Sequence, residues 1–166
     1  MRPYALKYCS LLFCLSSLFI ACNDGDTKAE EIETEPITFT KEGELYLIKT
    51  SGDTLQKLDV EFAESDYEHQ TGLMYRENLQ EDQGMLFIYS SERVRSFYMK
   101  NTYIPLDIIF YDADSSLVSI QKNARPRDET SLPSEGPAQY ILEINAGLAD
   151  EWGLAKNDRI RFNRND

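Results

Sequence analysis

Residues 103–111, Tyr-Ile-Pro-Leu-Asp-Ile-Ile-Phe-Tyr, are apolar at nearly every position, and this run constrains the fold more than any other stretch of the chain. Side chains of an extended strand alternate between faces, so Leu106, Ile108 and Phe110 share one face while Asp107, Ile109 and Tyr111 share the other. Neither set suits open water. Asp107, in the middle, is therefore paired, part of a site, or a sign that its face meets solvent.

The surrounding chain repeats the pattern in short pieces. "LDVEFA" (58–63) alternates cleanly, with Leu58, Val60 and Phe62 on one face. "ITFTKEGELYLI" (37–48) alternates around Gly43 and predicts a hairpin there. "GMLFIY" (84–89), "LVSIQK" (117–122), "YILEI" (140–144) and "DRIRF" (158–162) read as further strands. Ser65 and Glu68 form a capping-box pattern that predicts a short helix from about Asp66 to Tyr75. Asn145 is placed to cap a second short helix running to Trp152, with Gly153 as its stop. Residues 123–138 carry three prolines and no periodicity, and loops of that length inside a domain tend to be functional. The expected fold is mainly β, a sandwich or partly closed barrel with two short helices, in one domain over residues 37–166.

The N-terminal part reads differently. Arg2 and Lys7 precede an apolar run from Leu11 to Ala21, as in a secretory signal peptide over residues 1–21. "LFIAC" (18–22) resembles a bacterial lipobox, which implies cleavage before Cys22 and acylation of its thiol and new amino group. Cys9 and Cys14 would leave with the signal, so the mature chain has no thiol for a disulfide or a nucleophile. Residues 22–36 hold six acids and one lysine, too polar to offset the entropy of ordering, and are expected to form a disordered acidic tether. The expected partner is the membrane, through lipid on Cys22, and the expected location is the cell envelope at the outer membrane. A net charge of −12 without any basic stripe excludes nucleic acid as a partner.

Five segments together resemble one family, catalogued as domain of unknown function 192: "GLMYR" (72–76), "GMLFIY" (84–89), "FYMKNTYIPLDIIFYDAD" (97–114), "YILEINAG" (140–147) and "GLAKNDRIRF" (153–162). The sequence departs from the family pattern at Tyr98, where tryptophan is commoner, and at Asn157, where glycine is usual. The resemblance implies a compact, mainly β, jelly-roll-like fold and supplies no activity.

Several residues are candidates for chemistry. Asp107 and Glu143 lie among strong apolar neighbours on separate strands, and two such carboxylates can act as general acid and base in glycoside hydrolysis. Each can equally be a buried acceptor tied to Arg76, Lys100 or backbone donors, since an unpaired buried charge costs several kcal/mol or more. The polar triplet Lys100-Asn101-Thr102, set among Tyr98 and other aromatics, has the makeup of a small-molecule site, although Asn also favours plain turns. Arg125 and Arg127 on the long loop either meet an anionic or polyhydroxylated ligand or balance Asp128 and Glu129. Met74, Met85 and Met99 are soft enough for Cu(I) yet also suit core gaps, and no Met-x-x-Met cluster occurs. His69, the only histidine, reads as a solvated helix residue; with HExxH absent, neither metal nor cofactor is expected.

Two readings stand. In the first, a lipid-anchored envelope protein binds a small ligand or envelope component without chemistry, with the 123–138 loop as one wall of the site. Tyr98 and Lys100-Asn101-Thr102 form the other wall, with Arg76 and Asp107 beneath and Glu143 on the adjoining strand. In the second, a hydrolase acts on a glycan through Asp107 and Glu143.

Overall fold

The computed structural model describes residues 37–165, so the expected signal peptide, Cys22 and the expected acidic tether lie outside the described residues. Among the described residues, nine strands and two short helices run in the order β1 (Gly43–Ile48), β2 (Thr54–Ala63), α1 (Asp66–Thr71), β3 (Gln83–Arg93), β4 (Ser96–Phe97), β5 (Leu106–Tyr111), β6 (Leu117–Ala124), β7 (Leu132–Pro133), β8 (Ala138–Asn145), α2 (Leu148–Glu151) and β9 (Arg159–Arg164). Seven strands form one sheet in the order β6-β5-β8-β3-β2-β1-β9, and β4 pairs with β7 alone. This is the mainly β architecture with two short helices that the sequence predicts. The edges of the large sheet, β6 and β9, meet only near one end, where Ser116 bridges to Arg159 and the Leu117 N–H donates to the Asp158 carbonyl at 2.7 Å. No ladder joins them, so the sheet curls without closing into a barrel.

The connections decide what covers the sheet. β2 and β3 are parallel neighbours, and parallel strands require a crossover. Residues 64–82 provide it and carry α1 and Arg76 across one face. On the other face Leu58, Val60, Phe62, Leu86, Leu142, Ile144, Ile109 and Tyr111 pack into one core with α2. On the crossover face Met85, Phe87, Ile141, Ile108 and Phe110 pack with Leu73, Met99 and Ile104 from the connections into a second. β5 is therefore buried at every position, which is why its sequence is apolar at every position but Asp107. Each large side chain so buried contributes about 1.5–3 kcal/mol.

Asp107 is fully buried and hydrogen-bonded to backbone on three sides. Its Oδ1 accepts the Asn123 N–H at 2.8 Å, and its Oδ2 accepts those of Gly147 at 2.9 Å and Ala149 at 3.0 Å. The N-cap of α2 is Gly147, which has no side-chain cap of its own, so Asp107 caps this helix from a neighbouring strand. Asn145, expected to do so, instead donates to the Leu79 carbonyl at 2.7 Å.

Other local expectations shift as well. The first hairpin turns at 49–53, where the Lys49 N–H donates to the Asp53 carbonyl at 2.8 Å, and not at Gly43. Gly43 lies inside β1 because a Cβ there would sit 2.3 Å from the Asn163 carbonyl oxygen and 2.7 Å from the Phe62 ring. The capping box of α1 forms between Ser65 and Glu68, but the helix ends at Thr71 rather than Tyr75. Gly72 ends it by turning to φ 44°, ψ −129°, a region closed to other residues. The 123–138 segment begins as the end of β6, then runs back beside residues 95–102. The Met99 N–H donates to the Asp128 carbonyl at 2.8 Å and the Arg127 N–H to that of Thr102 at 3.1 Å. It supports that segment from behind.

Candidate functional site

The turn at Gly72 brings the end of α1 down onto the outer face of β3 and β8. A Cβ at Gly72 would lie 2.7 Å from the Phe87 ring and 3.7 Å from Glu143 Oε2. Between this turn and residues 96–102 a cavity of about 70 Å³ remains, lined among others by His69, Gly72, Phe87, Tyr89, Phe97, Tyr98, Thr102 and Glu143. Register places the acid: Met85 pairs with Glu143 and Phe87 with Ile141, so Glu143 and Phe87 project from adjacent strands toward the same side.

Glu143 is 5% exposed, and its carboxyl has no hydrogen-bond or salt-bridge partner among the described residues. Burial alone pushes its pKa up, to about 8. The walls are aromatic. Phe97 meets Phe87 edge-on at 5.0 Å, and the His69 ring stacks on Tyr89 at 4.1 Å. The Arg95 guanidinium lies 3.6 Å from the centroid of that same tyrosine, which is thus held between the two. Arg95 is itself buried and donates to the Ala138 and Ser91 carbonyls. His69 Nε2–H points at the carbonyls of Ala63 (3.0 Å) and Ile88 (3.1 Å), so this residue is a fixed part of the site rather than a solvated one.

Of the residues singled out from sequence, His69, Met74, Tyr98, Thr102 and Glu143 come together here. Tyr98 is 44% exposed at the mouth, and Thr102 is buried in the wall. Lys100 and Asn101 do not line the cavity; they form the turn that returns Thr102 to Met99. Asn101 has φ 56°, as expected of an Asn in a turn, and its amide donates to the Tyr75 hydroxyl at 2.8 Å. Arg76 is held by Glu61, its Nη2 lying 2.8 and 2.7 Å from the two carboxylate oxygens, both side chains buried. The pair lies beside a neighbouring cavity, on the far side of the Thr71–Met74 turn. Met85 and Met99 are buried in the second core.

Asp107 is not beneath this site. β5 and β8 pair Asp107 with Ile144 and Ile108 with Glu143, so the two acids point to opposite faces of the sheet. They cannot flank one glycosidic bond, and the carboxylate-pair arrangement is ruled out. The 123–138 loop contributes no lining residue and so is not a wall of the cavity. Sequence reasoning read His69 as solvated and missed Gly72, Phe87, Tyr89 and Phe97. The parity of "GMLFIY" against "YILEIN" is the signal that would have grouped Phe87 and Tyr89 with Glu143, once those strands are known to pair.

Comparison with known proteins agrees with this architecture. A crystal structure from Sinorhizobium meliloti 1021, described as that of a proposed transcription regulator, superposes with a TM-score of 0.70 at 37% identity, covering 76% of this chain and 96% of that one. A protein of unknown function from Novosphingobium aromaticivorans DSM 12444 gives 0.67 at 39% identity, over 71% of this chain and 83% of that one. No curated protein matches. The model of one family, described as "Uncharacterized ACR", matches residues 47–162, and the chain belongs to that family, domain of unknown function 192.

Proposed function

We propose that this protein is a lipid-anchored component of the cell envelope whose β domain binds a small ligand in the Glu143 pocket without transforming it. The observation that carries this reading is the buried Glu143 carboxyl, which faces a cavity and has no partner among the described residues. Small-molecule sites combine apolar walls with a few oriented polar groups, and here aromatic side chains surround Glu143 and His69 together with the small polar side chains of Thr71, Ser96 and Thr102. A regulator's role on nucleic acid is not carried over from the Sinorhizobium protein, because a net charge of −12 opposes phosphate binding. Glycan hydrolysis through Asp107 and Glu143 has lost its geometric basis, since the sheet separates the two.

A thermal-shift screen of the purified domain against amines, amides, carboxylates and sugars tests the binding reading. A ligand at a hundredfold excess over its dissociation constant adds about 2.7 kcal/mol of apparent stability. Hits should lose their shift in Glu143→Gln and weaken in Tyr98→Ala; hits indifferent to both substitutions would move the site elsewhere. The anchor rests on "LFIAC" ending at Cys22. Two or more acyl chains hold a protein stably to a membrane. Wild type should enter the detergent phase and Cys22→Ala should not; identical partitioning into water would reject the anchor.

A further inference from the structure

We infer that the Glu143 pocket recognises an alkylammonium head group, the charged end of a small primary amine or of a lysine-like side chain. This rests on the pocket being the ligand site, and it names what the site selects.

Charge limits the choice first. Among the described residues Glu143 is the only acid in the lining, and no lysine or arginine lines it. Of the two described arginines that are buried, Arg95 is stacked against Tyr89 with N–H groups on the Ala138 and Ser91 carbonyls, and Arg76 is already held by Glu61. An anionic ligand would therefore meet a carboxylate without compensation. A cation would meet a carboxyl that lacks a partner among the described residues, in surroundings where weak screening strengthens the pair. Size limits the choice next. A cavity of about 70 Å³ is less than half the ~150 Å³ that holds benzene, so it takes a head group and not a sugar ring. The aromatic lining of Phe87, Phe97 and Tyr98 suits the alkyl carbons next to the charge, and a cation over an aromatic face gains about 0.5–2 kcal/mol. The half-exposed Tyr98 leaves a mouth through which a longer chain can extend.

Binding is coupled to a proton. The carboxylic proton of Glu143 leaves to solvent and the ammonium takes its place against the carboxylate; no other bond forms or breaks. The remaining ionisable groups facing this space are His69 from α1, Tyr89 from β3 and Tyr98 after β4, with Arg95 behind Tyr89.

The test is calorimetric titration of the protein with n-butylammonium and with Nα-acetyl-lysine amide, against n-butanol and butyrate, at pH 6, 7 and 8. Two buffers of different ionisation heat are used. Both ammonium probes, or n-butylammonium alone if the mouth is too narrow, should bind with release of about one proton at pH 6. Affinity should tighten up to tenfold per pH unit toward pH 8. Glu143→Gln should weaken binding at least tenfold at pH 8 and remove the pH dependence, while circular dichroism reports an intact fold. Butanol binding as tightly as butylammonium, or affinity falling as pH rises, would overturn the ammonium inference and leave the pocket as the site. If no ammonium probe binds, the inference fails. If screen hits also ignore Glu143→Gln, the pocket reading fails with it.

Discussion

Replacing Glu143 by Gln gives a stability change whose pH dependence is set by the structure. The carboxyl titrates near its ordinary 4.5 in the unfolded chain and is raised to about 8 in the folded one, because burial penalises the anion and nothing compensates. Below pH 4.5 both states are protonated and the acid carries no penalty. Between 4.5 and 8 the folded state holds a proton that the unfolded state has lost, so stability falls as pH rises, by about 1.36 kcal/mol per unit. Above 8 the slope vanishes and the full penalty, on the order of 5 kcal/mol, persists. Against a typical domain stability of 5–15 kcal/mol this is a large fraction. Glutamine keeps the shape and cannot ionise. Its own desolvation cost does not vary with pH, so the quantity to follow is the difference between wild type and variant. Urea unfolding at pH 5, 6, 7, 8 and 9 measures it, with equal m-values as the check that only stability has changed. Wild type should lose about 2.7 kcal/mol relative to Glu143→Gln between pH 5 and 7. A difference flat within ~0.5 kcal/mol over that window, well below the linkage slope, would show that Glu143 is solvated and would remove the basis of the binding site.

Two further substitutions test the scaffold that holds the pocket. Asp107→Ala strands three backbone donors from Asn123, Gly147 and Ala149, and should cost about 3 kcal/mol or more in urea unfolding. Asp107→Asn should fall between wild type and alanine, since an amide presents one acceptor oxygen where the carboxylate presents two. Arg76→Met leaves Glu61 charged and buried and should cost about 3–5 kcal/mol, whereas the double replacement Glu61→Leu with Arg76→Met should recover most of it. A double variant as unstable as the single one would show that the pair stabilises the fold on balance.

The strands were legible because alternation survives wherever one face meets solvent, as in "GELYLI" of β1, and because continuous apolar runs mark burial on both faces, as in β5. The site was only partly legible, for reasons that are non-local. Lys100, Asn101 and Thr102 are consecutive, yet only Thr102 reaches the cavity, because Asn101 turns the chain at φ 56°. His69 sits on a six-residue helix, too short to show a periodic face, and its burial comes from Phe87 and Tyr89 of a strand farther along the chain. Gly43 reads as a turn because glycine marks turns, but its function is close approach to Phe62 of the neighbouring strand and to Asn163 at the other end of the sequence. Register across β5 and β8 is equally invisible locally, and it alone determines that Asp107 and Glu143 diverge.

That divergence explains why two acids in similar apolar settings have different fates. Asp107 lies near the end of the β5–β8 pairing, where β6 and the entry to α2 present backbone N–H groups that strand pairing has not consumed. A short carboxylate reaches three of them, and its charge becomes a means of joining loop to strand. Glu143 lies inside β8, which has β3 on one side and β5 on the other. In such a central strand the neighbouring backbone donors are engaged in ladders, so the main chain has nothing to offer a side chain that leaves the sheet. The remaining ways to satisfy the acid are a proton, a side chain or a molecule from outside. The described side chains supply no such partner. The proton suffices at neutral pH, at the expense of stability, and a ligand cation would replace it.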